Sequence, residues 1–238
     1  MRLFNRRVAG FAALVLLAAG LAACGDSEPD QRKAFIKFLQ DINSRAGVHF
    51  LNPTAEDQKA FGDYGRHYDI IIAFNSGMGA ASKEFSEHVS KITGGRASPS
   101  IADLAANRDT IAGLKGEIAR VQSEIDKRLA ALNAERAALK QPDDLKAVYD
   151  VIFDRLVTKP TQATKTQMSV MDDGLTDSLH LADYINSHAD KLSIKGSQVL
   201  ASDTKTLDEL KALMSAQTAA AKRLQDAGRD LQRVLDGS

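Results

Sequence analysis

The sequence predicts an all-α protein, an elongated bundle of long antiparallel helices with one short β-hairpin near residues 192–200. Three observations predict this class. Apolar residues recur at alternating spacings of three and four along most of the chain, which is the period of one helix face. Between residues 104 and 139, leucine or isoleucine occupies six successive positions at seven-residue intervals. Clusters of glycine and proline separate the periodic stretches and mark the turns between helices.

The composition excludes several classes of protein. The 238 residues contain 31 Lys and Arg against 31 Asp and Glu, so the formal net charge is zero. A nucleic-acid-binding protein is expected to carry a basic excess, and we therefore predict no nucleic-acid partner. The single cysteine excludes an internal disulfide and a zinc site with several cysteines. Hydrophobic residues make up 44% of the chain, which is enough apolar material for a core.

Residues 1–23 have the pattern of an export signal. Arginines at positions 2, 6 and 7 precede an uncharged apolar stretch that ends directly at Cys24. The last residues of this stretch, Leu21-Ala22-Ala23-Cys24, resemble the lipobox of bacterial lipoprotein signal peptides at every position. In lipoproteins the cysteine thiol is alkylated with diacylglycerol and the chain is cleaved before it. The alternative is an uncleaved signal anchor with an incidental buried cysteine.

The lipobox resemblance implies a set of boundaries and a location. It implies cleavage between Ala23 and Cys24, lipidation of Cys24, a lipidated tether at residues 24–29 and a single helical domain at residues 30–238. Two or three acyl chains such as palmitate hold a protein stably on a bilayer, so the expected location is the bacterial cell envelope, facing the periplasm. Gly25 stands where some inner-membrane lipoproteins carry Asp, which favours the outer membrane, although Asp26 leaves the inner membrane open.

The first predicted helix begins at Asp30, and a second, of about 35 residues, follows the capping sequence at residues 52–54 and extends to Ile92. In the first, one apolar stripe faces the rest of the bundle or the bilayer, and the bundle is favoured because basic residues are not concentrated beside the stripe. The stripe consists of Phe35, Phe38, Leu39 and Ile42. The second helix starts at a capping sequence, Asn52-Pro53-Thr54, and contains glycines at positions 62, 65, 77 and 79 that weaken it.

The segment from about residue 100 to 140 is predicted to be one helix with a heptad stripe. The stripe consists of Leu104, Ile111, Ile118, Ile125, Leu132 and Leu139. A helix of this length is not stable alone, so the stripe needs a partner. That partner is either another helix of the same chain or a second chain. Because apolar helices flank the segment on both sides, the sequence favours an internal bundle and a monomer.

Four further elements complete the predicted chain. Gln141-Pro142-Asp143-Asp144 begins a short helix that is expected to stop near Pro160. Another helix is predicted from Thr161 to about Asp190. A turn at Lys195-Gly196 lies between two short alternating segments and predicts the hairpin. Ser202-Asp203-Thr204 then opens the last helix, in which alanines near the centre allow close approach of a neighbouring helix.

Two of these segments together resemble a known family. They are residues 30–40, directly after the lipobox cysteine, and residues 139–153 around Pro142. Their sequences and the order of the elements are similar to the YiaF-like family of bacterial lipoproteins, a domain of unknown function. The resemblance implies a helical envelope lipoprotein, and it supplies no catalytic residues.

The residues that carry chemistry show no recognisable metal or cofactor motif. None of the spacings among the five histidines matches a zinc site; these are His49, His67, His88, His180 and His188. The acidic residues at 172, 173 and 177 lack the glycine and the ligand order of a calcium loop. We therefore predict no metal and no cofactor.

The sequence also contains no recognisable arrangement of catalytic residues, and we predict that the protein is not an enzyme. Asp143 and Asp144 could form an acid–base pair, but their place at a helix start explains them. No serine lies in a nucleophile elbow, and Cys24 is used for the lipid. An enzyme would require a cleft in which distant titratable groups converge, namely His67, Asp69, His180 and Asp183.

Two functions therefore remain open at the level of the sequence. The favoured one is a structural or adaptor lipoprotein whose long helices present a surface to a protein partner in the envelope. The alternative is a module that binds a lipid or another apolar ligand between its helices. Phe74, Met168 and Met171 are the candidate lining residues for such a ligand.

Overall fold

The computed structural model describes residues 27–93, 101–195 and 198–238. The elements in chain order are α1 (Glu28–Asn43), α2 (Ala55–Phe61), a 3-10 turn (Gly62–Tyr64), α3 (Gly65–Thr93), α4 (Ile101–Ala106), α5 (Arg108–Ala137), α6 (Asp143–Phe153), a π-helical turn (Asp154–Thr158), α7 (Lys159–Ser187), β1 (Leu192–Lys195), β2 (Gln198–Ala201) and α8 (Thr204–Asp236). The predicted all-α class with one small hairpin is confirmed. The predicted signal peptide, Ala23 and Cys24 lie outside the described residues.

Two predicted helix starts are confirmed by their capping hydrogen bonds. Thr54 caps α2, because its hydroxyl accepts a hydrogen bond from the Asp57 amide while the Asp57 carboxylate accepts one from the Thr54 amide. Asp203 caps α8, accepting a hydrogen bond from the Thr206 amide at 2.8 Å.

Two of the predicted long helices are interrupted. The helix predicted to follow the capping sequence at residues 52–54 breaks at Gly62, whose φ of 52° lies in the region that favours glycine. The helix predicted from residue 100 to 140 breaks at Asn107, where φ is −107° and ψ is 19°. The Asn107 side-chain amide donates to the Asp103 carbonyl at 2.7 Å, which is the local competition with helical hydrogen bonding that favours asparagine at breaks.

The expected stop near Pro160 is wrong. A helical path continues from α6 through the π-helical turn into α7, with Pro160 in the first turn of α7. Proline has no amide hydrogen, and its ring collides with the carbonyl four residues earlier in a regular helix. The wider π turn, in which the Lys159 amide donates to the Asp154 carbonyl, accommodates that proline without ending the helix.

The four longest helices lie side by side, and each is antiparallel to the next. On α3 and α5, Tyr68 packs in one cluster with Leu132 while His88 contacts Glu117, so the two helices run in opposite directions. Lys115 of α5 binds Asp172 of α7 at 2.5 Å, and Asp126 binds Lys165 at 2.6 Å. On α7 and α8, Asp177 pairs with Arg223, and the Tyr184 hydroxyl donates to Glu209.

The heptad stripe of α5 packs inside the chain. Ile111, Ile118, Ile125 and Leu132 are all buried, with at most 4% of each side chain exposed. Their neighbours come from α3 and α7, the helices that flank α5. In this single chain, the stripe therefore has its partners without a second copy.

The apolar side chains form two cores at opposite ends of the bundle. The first core joins α1, α2, the start of α3, the end of α5 and α6. Its buried members are Phe35, Phe38, Leu39, Ile42, Phe61, Tyr68, Ile71, Phe74, Leu132, Leu145, Tyr149, Ile152, Phe153, Leu156 and Val157. The second core is smaller and joins the end of α7, the start of α8, α4 and the hairpin. Leu181, Ile185 and Leu210 are its buried members.

Helix α8 connects the two ends of the bundle, from the hairpin beside the second core to the loop after α1. In the hairpin, Leu192 pairs with Ala201 and Ser193 pairs with Leu200 in antiparallel register. From there α8 returns along α7, and near its end the Leu235 carbonyl accepts a hydrogen bond from the Val48 amide at 2.7 Å. The C-terminus thus docks on the loop after α1, beside the first core. No helix among the described residues has both the length and the apolar character needed to cross a bilayer.

Candidate functional site

The chain is folded almost directly after the predicted lipidation site. The Ser27 carbonyl accepts hydrogen bonds from the amides of Asp30 and Gln31, and α1 begins at Glu28, two residues before the predicted start of the domain. The Glu28 side chain is held by the Tyr64 hydroxyl and lies 3.8 Å from the Arg32 guanidinium. Only two residues lie between Cys24 and Ser27. The three chain steps from Cys24 to Ser27 span at most about 11 Å when fully extended.

The four residues that an enzyme would bring together lie in different parts of the fold. His67 is buried in the first core, whereas Asp69 and His180 are exposed. Asp183 binds the Arg108 guanidinium at 2.5 Å near the second core. The predicted requirement for a catalytic cleft is therefore not met at these residues.

His67 is a structural histidine. Its Nδ1 is 3.2 Å from Nε2 of Gln141, and its ring meets the Phe35, Tyr64 and Tyr149 rings edge to face. The Tyr149 hydroxyl donates to the His67 carbonyl at 2.8 Å. Burial lowers the pKa of His67, and the neighbouring charge of Arg66 lowers it further. The imidazole is thus held neutral by the core around it.

The other histidines have separate surroundings. His88 is 3.1 Å from the buried Glu117 carboxylate, which also accepts hydrogen bonds from Arg120. The hydrogen bond from Arg120 lowers the pKa of Glu117. Arg120 also lies 3.3 Å from Glu84 of α3, so these side chains join α3 to α5. His188 stacks on Tyr184 with ring centroids 4.1 Å apart. In the part of the chain that the structure describes, no three His, Cys, Asp or Glu side chains are grouped so as to hold a metal.

Three of the acidic residues singled out in the sequence, Asp144, Asp172 and Asp177, form ion pairs. Asp144 lies 3.5 Å from Arg32 of α1 and also accepts a hydrogen bond from the Leu145 amide. Asp172 and Asp177 bind Lys115 and Arg223, as described above. These carboxylates therefore join neighbouring helices.

A depression lined by charged side chains lies beside the C-terminus. It has a volume of about 960 Å³ and is bordered by the end of α1, α6, the π-helical turn and the end of α8. Its three acidic and three basic side chains are balanced, and each has a partner in the chain. Asp150 binds Arg136 and Lys146, Asp154 binds Lys159, Asp230 binds Arg233, and Arg155 donates to the carbonyls of Asn43 and Gly47. These six charged side chains are therefore already used in contacts within the described part of the chain.

An apolar cleft of about 420 Å³ lies at mid-length, between the two cores. Its lining comes from α3 (Phe85, Val89), α4 (Leu104), α5 (Leu114, Ile118), α7 (Val170, Met171, Gly174, Leu175, Ser178) and α8 (Gln217, Ala220, Ala221, Leu224). Of the three candidate lining residues from the sequence, Met171 lines this cleft, Phe74 packs in the first core, and Met168 does not reach the cleft. None of the lining side chains is charged.

Small residues and one polar pair shape this apolar cleft. A Cβ placed on Gly174 would lie 3.6 Å from the Ala220 Cβ, so α7 and α8 approach closely there, as the central alanines predicted. Nε2 of Gln217 donates to the Ser178 hydroxyl at 2.9 Å, and that hydroxyl donates to the Gly174 carbonyl at 2.9 Å. Sequence reasoning missed this pair as a site, although Gln217 is the one polar residue on the apolar stripe of α8.

Comparison with known proteins identifies relatives but no described activity. A family model with the description "Protein of unknown function (DUF3053)" matches residues 12–232. The chain is 28% identical over 185 residues to "Uncharacterized protein YiaF" of Escherichia coli strain K12. The aligned residues cover 76% of each of the two chains. The protein of the same description from Shigella flexneri matches with the same identity and coverage. No solved structure matches the chain.

Proposed function

Since this chain belongs to the DUF3053 family of proteins of unknown function, to which no activity is assigned, we propose that it is a structural or adaptor lipoprotein of the bacterial envelope. In this proposal Cys24 carries the lipid and the signal is cleaved after Ala23. The family match begins at residue 12 and so includes the lipobox around Cys24. The expected membrane is the outer one, because Gly25 follows the cysteine.

The observation that carries the proposal is the short distance between Cys24 and the folded domain. The Ser27 carbonyl already accepts the first hydrogen bonds of α1, and Glu28 accepts a hydrogen bond from the Tyr64 hydroxyl. With at most about 11 Å of chain between lipid and helix, the bundle has to stay next to the bilayer. The end that contains the first core is then the end nearest to the anchor.

The shape of the bundle suits a module that connects the membrane to a partner. Helix α8 has 33 residues, which corresponds to about 50 Å at 1.5 Å per residue. The hairpin at residues 192–201 lies at the other end of the bundle from α1. A partner bound at that end would be held several nanometres from the anchor. The proposal includes no catalytic activity, since His67, Glu117 and Asp183 are each occupied by partners within the fold.

Lipidation is tested with the variant Cys24→Ser in a bacterial host. Cells that express the full chain are fed an alkyne analogue of palmitate, and the purified protein is analysed by fluorescence and intact mass. We expect labelling and the mass of a cleaved, acylated chain for the wild type, and an unlabelled chain that retains residues 1–23 for Cys24→Ser. The matched control Gly25→Asp should keep the label and shift the protein toward inner-membrane fractions. Equal labelling of Cys24→Ser would refute the assignment.

The adaptor role is tested by site-specific crosslinking in the same cells. A photoreactive amino acid replaces Leu200, which is 55% exposed on the hairpin, or Val151, which is 51% exposed near the first core. A partner held at the end far from the anchor predicts a discrete adduct from position 200 and a different pattern from position 151. If neither position, nor other exposed positions along α8, gives a discrete adduct, the adaptor role is wrong.

A further inference from the structure

The apolar cleft exists because four helices pack in a row and not in a closed ring. Helix α3 packs on α5, α5 on α7, and α7 on α8, and this last pair is the most extensive. At mid-length, Phe85 of α3 and Leu224 of α8 border the same space, with Ile118 and Met171 between them. Gly174 and Ala220 are too small to fill it.

The size and lining of the apolar cleft limit what it can hold. Ligand sites in proteins commonly have volumes of about 300–1,000 Å³, so the cleft's 420 Å³ suits one narrow chain and is small for a two-chain lipid. A charged group placed against this uncharged lining would lose its hydration without gaining a partner. The ligand that fits is therefore apolar and uncharged.

One side-chain acceptor among the lining residues has no hydrogen-bond partner in the described part of the chain and is open to solvent. The Gln217 amide nitrogen is used by Ser178, and Ser178 in turn donates to the Gly174 carbonyl. Among the hydrogen bonds of the described residues, none uses the other end of the Gln217 amide, Oε1. An acceptor of this kind selects a ligand with a hydroxyl or amide donor.

We propose that the apolar cleft binds a single-chain, uncharged apolar molecule whose hydroxyl or amide group donates a hydrogen bond to Oε1 of Gln217. The ligand class is that of long-chain alcohols and neutral single-chain lipids. The acyl chains expected on Cys24 are held by the bilayer, so the ligand is a separate molecule. This binding site is independent of the proposed adaptor role and of lipidation.

The experiment uses hexadecanol that carries a diazirine in its chain. The full chain is reconstituted in phosphatidylethanolamine vesicles, irradiated with this probe and digested, and the labelled residues are mapped by mass spectrometry. We expect saturable labelling of the α5, α7 and α8 segments that line the cleft, and competition by unlabelled hexadecanol. Hexadecanoate at a pH where it is ionised should compete at least tenfold less well.

Two variants on the surface of α8 provide a matched pair. Ala221→Phe places a ring in the mouth of the cleft, whereas Ala219→Phe places the same ring on an exposed position that does not line it. Both positions are exposed, so neither ring has to enter the core. Labelling of the cleft should fall at least tenfold in Ala221→Phe and stay within twofold of the wild type in Ala219→Phe.

A third variant tests the role of the acceptor. Gln217→Leu leaves Ser178 bonded to the Gly174 carbonyl, and it should reduce the preference for hexadecanol over hexadecane about three- to tenfold. Label spread evenly over the chain, or equal labelling of Ala221→Phe and wild type, would overturn the site. An unchanged preference in Gln217→Leu, or equal competition by hexadecanoate, would overturn the assigned ligand class. If a second copy of the chain filled the cleft, hexadecanol would not compete, and the proposal would also fail.

Discussion

At the scale of single residues, His67 shows how a candidate catalytic group becomes part of a core. Its ring is 3% exposed, and the Gln141 amide donates to Nδ1, so the neutral tautomer with hydrogen on Nε2 satisfies the site. Gln141 lies 74 residues further along the chain. Sequence spacing alone could not connect the two, because only the fold brings the α5–α6 turn to the start of α3.

The neutral state of His67 predicts a pH dependence of stability. The pKa is lowered from 6.5 by burial first and by Arg66 second, while Asp63 opposes the shift. Below pH 6.5 the unfolded chain therefore binds a proton that the folded chain does not bind. The free energy of unfolding should fall as the pH drops through 6.5, and this loss should level off below the folded pKa.

Urea unfolding at pH 7.5 and at several values down to pH 5 measures this effect. His67→Gln should show a weaker dependence on pH than the wild type over this range. His180→Gln, at an exposed position, serves as the control and should keep the dependence of the wild type. If His67→Gln and His180→Gln have the same slope, the fold does not hold His67 neutral.

At the scale of elements, helical periodicity predicted which stretches are helical and missed where they break. The apolar stripe continues through Gly62 because Phe61 and Tyr68, on either side, both pack in the first core. On either side of Asn107, Leu104 packs against the second core and Ile111 is buried. At Pro160 the error was the opposite one, because a helix end was predicted and the helix continues. A π turn accommodates a proline that would end a regular helix. These outcomes depend on backbone hydrogen bonds, which the pattern of side chains does not report.

The glycines of the chain also differ in whether the backbone requires them, and Gly47 and Gly79 allow this difference to be tested. Gly47 has a φ of 74°, and a Cβ there would collide with the Leu235 and Asp236 carbonyl oxygens at the end of α8. Gly79 lies inside α3 with nothing within 4 Å of an added Cβ. Gly47→Ala should therefore lower the free energy of unfolding by more than about 1 kcal/mol, because backbone strain adds to the collision.

Gly79→Ala is the control, and it should raise the free energy of unfolding by about 0.5–1 kcal/mol, since alanine is the better helix former. Chemical denaturation of both variants at one pH measures the two changes. The same sign of change for both would show that the loop after α1 is not held against the end of α8 as described.

At the scale of the whole molecule, the bundle could be predicted and its internal space could not. The heptad positions of α5, the apolar stripe of α1 and the hairpin follow from periodicity and turn residues. The apolar cleft depends on how α3 and α8 are spaced across α5 and α7, and this spacing is set by side chains far apart in the chain. Met171 was predicted as a lining residue because methionine often lines apolar binding sites. Nothing in the sequence around Gln217 or Ser178 indicated that these residues line a cleft.

The heptad stripe also predicts the oligomeric state of the mature chain. Because Ile125 is 1% exposed between helices of its own chain, residues 25–238 should sediment with the mass of a monomer that does not change with concentration. Ile125→Lys would bury an unpaired charge and should lower the free energy of unfolding by at least about 3 kcal/mol. Val151→Lys, at a position that is 51% exposed, should change it by less than about 0.5 kcal/mol. If the stripe instead faced a second chain, the wild type would sediment as an oligomer, and Ile125→Lys would release a folded monomer of nearly unchanged helicity.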